Sequence, residues 1–157
     1  VSGLSKSGAT GRRVGFVAAP RQWMAALERT VMATTWNTPG GMTAVAAAWI
    51  DDGTVLQLEA QKREDARARQ VVADEVLAGL NVIRHPSSYF LWLPLPEDVR
   101  ADQITMALAR ENISVSTAEP FAVSAHVPHA LRVALGSVDR EVLREALVKV
   151  RWAVEAY

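Results

Sequence analysis

Val1-Ser2-Gly3-Leu4-Ser5-Lys6-Ser7-Gly8-Ala9-Thr10-Gly11-Arg12-Arg13-Val14-Gly15-Phe16 begins with small, polar residues and runs into an apolar stretch that Pro20 closes. The composition reads as a loop over 1–12 and a strand over 13–19. Gly11, Arg13 and Gly15 follow Lys6 at offsets of five, seven and nine residues. A lysine on such a loop can reach a carbonyl compound and condense with it once its amine is deprotonated, while an arginine on the following strand offers a fixed fork to a phosphate. The glycines let backbone come close to that phosphate, and Ser5 adds a hydroxyl. Neighbouring strand residues face opposite ways, so only one of Arg12 and Arg13 can point at the anion, and the offset selects Arg13. A lone Ser-Lys pair in a Gly/Ser-rich terminus reads as a solvated tail; the three further offsets turn the reading toward a site.

A second stretch, His129-Ala130-Leu131-Arg132-Val133-Ala134-Leu135-Gly136-Ser137, is an apolar strand interrupted by an arginine. A guanidinium in such a setting needs a partner, and a carboxylate gripped by both prongs is the natural one. The plainer alternative is an edge-strand arginine reaching out to solvent.

The first stretch resembles the S-x-S-K-x-x-x-x-G-x-R-x-G signature of the aspartate-aminotransferase superfamily of pyridoxal-phosphate (PLP) enzymes. Gly3 stands where that family often has its first serine, with Ser2 one residue further back. The second stretch resembles the strand whose arginine clamps the α-carboxylate of the substrate. Between them, a long charged helix followed by Tyr89-Phe90-Leu91-Trp92-Leu93-Pro94-Leu95 resembles the small domain of MocR/GntR-type regulators, so the resemblance spans nearly the whole chain. It implies PLP as cofactor, Lys6 as the catalytic cofactor lysine, Ser5 and Arg13 as further cofactor contacts, Arg132 as the residue that binds an amino-acid substrate or effector, and a homodimer. Glu119-Pro120-Phe121 sits where relatives place a turn and a phenylalanine near the substrate entrance, and reads first as a turn with a core aromatic. Trp36-Asn37-Thr38 sits where the superfamily approaches the neighbouring subunit's active site, and reads first as a loop and cap.

Periodicity places the other elements. Trp23, Met24, Leu27 and Val31 form an apolar helical face from Pro20 to about Thr34. Thr38 can cap a helix over 42–50. Residues 54–79 carry the strongest helical pattern, with Glu59/Arg63 and Asp65/Arg69 as solvated pairs, Val72, Val76 and Leu77 on the buried side, and Gly79 as the stop. Residues 81–85 and 88–95 read as a hairpin, 99–111 as a helix, and 113–117 and 131–135 as strands. A last helix starts at Ser137 with Asp139 and Glu141 at its positive end and buries Val142, Leu143, Ala146, Leu147 and Val150. The expected class is α+β: residues 1–50 as the end of a large PLP-binding domain, and 51–157 as a small aminotransferase-like domain with a short, mostly antiparallel sheet covered by helices.

Composition narrows the chemistry. Seventeen basic and 17 acidic residues balance, which gives no general pull toward nucleic acid or membrane, so DNA binding is expected only through an upstream domain. The absence of cysteine removes thiolate chemistry and is compatible with a cytoplasmic protein. His85, His126 and His129 show no metal-ligand pattern, so no metal site is expected. The family's phosphate loop, ring-stacking aromatic, asparagine and ring-pairing aspartate all precede the lysine. The chain therefore reads as the C-terminal fragment of a MocR/GntR-type regulator, or alternatively of a free-standing class I/II aminotransferase, and is expected to be inactive alone because PLP chemistry needs that aspartate.

Overall fold

A computed structural model of the chain describes residues 1–7 and 14–156, with the backbone alone at Lys6 and Ser7. The chain divides into two compact units, Val1–Lys62 and Arg63–Tyr157.

The first unit starts with strand β1 (Ser2–Gly3), the short helix α1 (Leu4–Ser7) and strand β2 (Gly15–Phe16). β1 and β2 pair antiparallel, Ser2 opposite Phe16 and Gly3 opposite Gly15. Helices α2 (Arg21–Thr34) and α3 (Gly40–Asp51) follow, and then α4 (Thr54–Val76), inside which the division between the units falls. Leu4, Val14 and Ala46 are buried together, with Met42 and Val55 against them. The expected strand over 13–19 thus shortens to Gly15–Phe16, since β1 is only long enough to pair there. The apolar face of α2 forms but stays unburied, with Trp23, Met24 and Val31 exposed. Thr38 does not cap α3; Pro39 occupies the N-cap without a side-chain hydrogen bond. A proline there can offer no cap hydroxyl, but its fixed φ is suited to a helix start.

The second unit is built on a four-stranded antiparallel sheet in the order β3 (Ile83–Arg84), β4 (Phe90–Pro94), β6 (Ala130–Ala134), β5 (Ser116–Thr117). The expected hairpin is β3 and β4. The edge strands are shorter than their apolar runs because each finds only a short stretch of partner. Helices α5 (Ala101–Arg110) and α6 (Arg140–Glu155) complete the unit. Strand side chains alternate between faces, so Leu91, Leu93, Leu131 and Val133 point into one core with Val72 and Val76 of α4, Ile104 and Leu108 of α5, and Leu143, Leu147 and Val150 of α6. Burying each such leucine contributes about 1.5–3 kcal/mol. The class is the α+β arrangement expected, a short antiparallel sheet covered by helices.

Helix boundaries follow local chemistry. Gly79 has φ 89° just beyond α4, a left-handed conformation that ends helices and that glycine adopts without strain. Asp139 is the N-cap of α6, its Oδ1 accepting from the Val142 N–H at 3.0 Å. The helix therefore starts after Asp139 rather than at Ser137, and Val142, in its first turn, is half-exposed rather than buried.

A polar joint around Arg69 is among those that tie α4 to the sheet. The Arg69 guanidinium donates to Asp65 Oδ2 at 2.7 Å and to the carbonyl of Leu135 at 2.8 Å, and also reaches the Val138 carbonyl. The Tyr89 hydroxyl donates to the same Asp65 oxygen at 2.9 Å. Asp65/Arg69 is thus a partly buried anchor rather than a pair on a solvated face. Burial raises the Asp65 pKa, but the hydrogen bonds from Arg69 and Tyr89 and the charges of Arg69 and Arg140 outweigh it, leaving the carboxyl below its ordinary 3.8. Gly136 packs against the Tyr89 ring: a Cβ there would lie 2.9 Å from Cδ1.

Two outcomes follow for stability. Gly136→Ala should lower unfolding free energy by about 1–3 kcal/mol in urea titration, because Tyr89 is tethered at its hydroxyl and cannot swing clear. A carboxyl whose folded pKa is depressed stabilises the protein above its unfolded pKa and loses that contribution as pH falls through the folded value. Asp65→Asn should therefore be less stable than the wild type at pH 7, and the gap should close on acidification below 3.8, as followed by thermal unfolding across pH.

Candidate functional site

Lys6 lies on α1, immediately after β1. The Leu4 N–H donates to the Val14 carbonyl at 3.2 Å, so the backbone entering the lysine segment and the backbone leaving Arg13 are hydrogen-bonded neighbours. Arg13 itself lies outside the described residues. Ser5 is half-buried. The glycine at position 3 has a local cause: a Cβ there would stand 3.0 Å from the Val14 carbonyl oxygen. A serine in that place would push against backbone, so this close approach and the departure from the family's serine go together.

Arg132 lies in the middle of β6, opposite Trp92 of β4 on one side and Ser116 of β5 on the other. Its neighbours Leu131 and Val133 face the core, which puts Arg132 on the opposite face of the sheet with Phe90 and Trp92. The guanidinium carbon sits 3.7 Å from the centre of the Phe90 ring and 4.8 Å from that of Phe121. Phe121 comes from a short 3-10 turn, Glu119–Phe121, and meets Trp92 edge to face at 5.7 Å. Phe121 is therefore not a core aromatic: it is half-exposed and belongs to the arginine's surroundings. Among the described residues no carboxylate pairs with Arg132. The arginine is neither buried and neutralised nor simply afloat in solvent; it is stacked, with N–H edges left for a planar acceptor.

Sequence reading singled out Arg132 but not its contact with Phe90. The signal was present, because Phe90 and Trp92 share parity on β4, and the register sets Trp92 directly opposite Arg132 with Phe90 two residues along on the same face.

The remaining candidates carry less. Trp36 has φ 64° and is exposed, a conformation uncommon for a bulky residue. A cavity of about 420 Å³ is lined by Arg100, Asp102, Thr117, Glu119 and His129, but Arg100 is already paired with Asp102 at 2.7 Å. Among the described residues no His, Asp and Glu cluster could hold a metal ion.

Known proteins resemble this chain in sequence and fold. The profile of the family "Aminotransferase class I and II" matches residues 1–150. An HTH-type transcriptional regulator of Bacillus subtilis, YdeF, is 26% identical over 136 residues, covering 86% of this chain and 29% of its own length. The chain thus spans under a third of that relative. The multiple substrate aminotransferase of Thermococcus profundus superposes with a TM-score of 0.87 at 19% identity, over 98% of this chain and 40% of its own. The α-aminoadipate aminotransferase of Thermus thermophilus, solved with N-(5'-phosphopyridoxyl)-L-leucine, superposes with a TM-score of 0.83 at 21% identity, over 98% of this chain and 40% of its own. With a family match over residues 1–150, the chain belongs to the class I and II aminotransferases.

Proposed function

We propose that this chain supplies the lysine loop and the carboxylate-reading small domain of a PLP-binding, aminotransferase-type domain in a MocR/GntR-type regulator. Residues 1–50 end the cofactor-binding domain in this reading, and 51–157 form the small domain. The observation that carries it is Arg132, a cation with no carboxylate partner among the described residues, stacked on aromatic rings at the centre of a sheet. An amino acid's α-carboxylate fits that fork. Lys6 holds the cofactor through its amine, Ser5 and Arg13 contact its phosphate, and PLP contributes a carbonyl and an electron sink. The unburied face of α2 supports the view that unit one completes a larger body.

The regulator reading draws on the regulator-named relative. In it an amino acid or its adduct is an effector, a winged helix upstream binds DNA, and the protein works as a cytoplasmic homodimer. No helix among the described residues is long and apolar enough to cross a membrane. The enzyme reading draws on the solved structures of similar fold, which are aminotransferases; there Lys6 also moves a proton as general base and the amino acid is a substrate.

Full-length protein mixed with PLP should develop a cofactor absorbance band that survives gel filtration, and Lys6→Ala should lose it at least about tenfold more readily. Equal retention by the alanine variant would overturn the role of Lys6. Amino-acid-dependent operator binding without turnover would select the regulator; turnover with a keto acid would select the enzyme.

A further inference from the structure

We propose that Phe90 and Phe121 are positioning residues of the carboxylate site, holding the Arg132 guanidinium by ring stacking so that its N–H edge stays free for the ligand. The proposal rests on the reading of Arg132 as the carboxylate-binding residue and adds to it how that residue is held.

Among the described residues, two ways of restraining a guanidinium stand side by side. Arg67, Arg69, Arg84, Arg100, Arg144 and Arg151 are held by carboxylates. Such pairs spend N–H donors on the protein. Arg132 is held instead through the face of its guanidinium, 3.7 Å from the Phe90 ring centre and 4.8 Å from that of Phe121. A cation attracted to an aromatic face uses none of its in-plane donors. A carboxylate partner would neutralise the charge and compete with an incoming anion; a ring does neither.

The rings are fixed from different parts of the fold. Phe90 lies at the start of β4, where the buried Gln70 side chain donates to the carbonyls of Ser88 at 2.7 Å and Phe90 at 3.3 Å. Phe121 rides on the 3-10 turn and is braced edge-on by Trp92, the residue directly opposite Arg132. The long arginine side chain is thus restrained before the ligand arrives, which lowers the ordering cost of binding.

The test uses the full-length, PLP-loaded protein and isothermal titration with L-alanine, L-leucine, L-phenylalanine and L-glutamate, each beside the amine that lacks its α-carboxyl. Phe90→Leu and Phe121→Leu should each weaken amino-acid binding by about three- to thirtyfold and leave the amines' affinity unchanged. Phe90→Tyr and Phe121→Tyr, which keep a ring face, should restore binding to near the wild-type level. In an Arg132→Gln background the leucine substitutions should have no further effect. Leucine variants that bind amino acids like the wild type, that weaken amines equally, or that tyrosine fails to rescue would overturn the proposal. Arg132→Gln with wild-type amino-acid affinity would overturn the carboxylate reading itself; loss in Arg132→Gln with none in the leucine variants sinks only the positioning role.

Discussion

The register between β4 and β6 is the constraint on which the second unit depends. Five residues of each strand pair, Phe90 with Ala134 through Pro94 with Ala130. That register sends Leu91, Leu93, Leu131 and Val133 to one side and Phe90, Trp92 and Arg132 to the other. A slip of one residue in β6 would carry Arg132 into the leucine core and expose the residues that fill it, an unpaired buried charge and lost apolar burial together. The same hydrophobic alternation that makes the core therefore sets Arg132 on the opposite face with Phe90 and Trp92.

The polar joint at the end of the sheet protects that register. Arg69 binds the Leu135 carbonyl directly beyond β6, while the Leu135 N–H donates to the Tyr89 carbonyl directly before β4 at 2.8 Å. Gln70 holds the next carbonyls along. α4 thus grips both central strands at the end where Phe90 begins, so packing, register and the aromatic setting of Arg132 are one connected arrangement.

Much of this was legible in the sequence because it is local or periodic. Alternating apolar residues located β4 and β6, and the interruption by Arg132 marked the one strand position needing a chemical explanation. The lysine segment was singled out by spacing and resemblance, and most of it lies outside the described residues. What the sequence hid was relational. Phe121 looked like a core residue because nothing in its own neighbourhood says that a 3-10 turn carries it onto the arginine's face. Asp65 and Arg69 looked like a surface pair because their other partners, Tyr89, Leu135 and Val138, are distant in sequence. Thr38 looked like a cap, yet Pro39, with its fixed φ, took the position. Gly3 read as a missing serine until the close approach of Val14 gave it a steric reason.

The claim at the centre is that the face of the sheet bearing Arg132 receives an amino acid's carboxylate. A crystal structure of the full-length protein with PLP and a bound amino acid tests it most directly. The account predicts the carboxylate lying in the plane of the Arg132 guanidinium, with both N–H···O distances near about 2.8 Å and Phe90 still stacked beneath it. A ligand carboxylate held elsewhere, with Arg132 turned to solvent or paired to a protein acid, would contradict it.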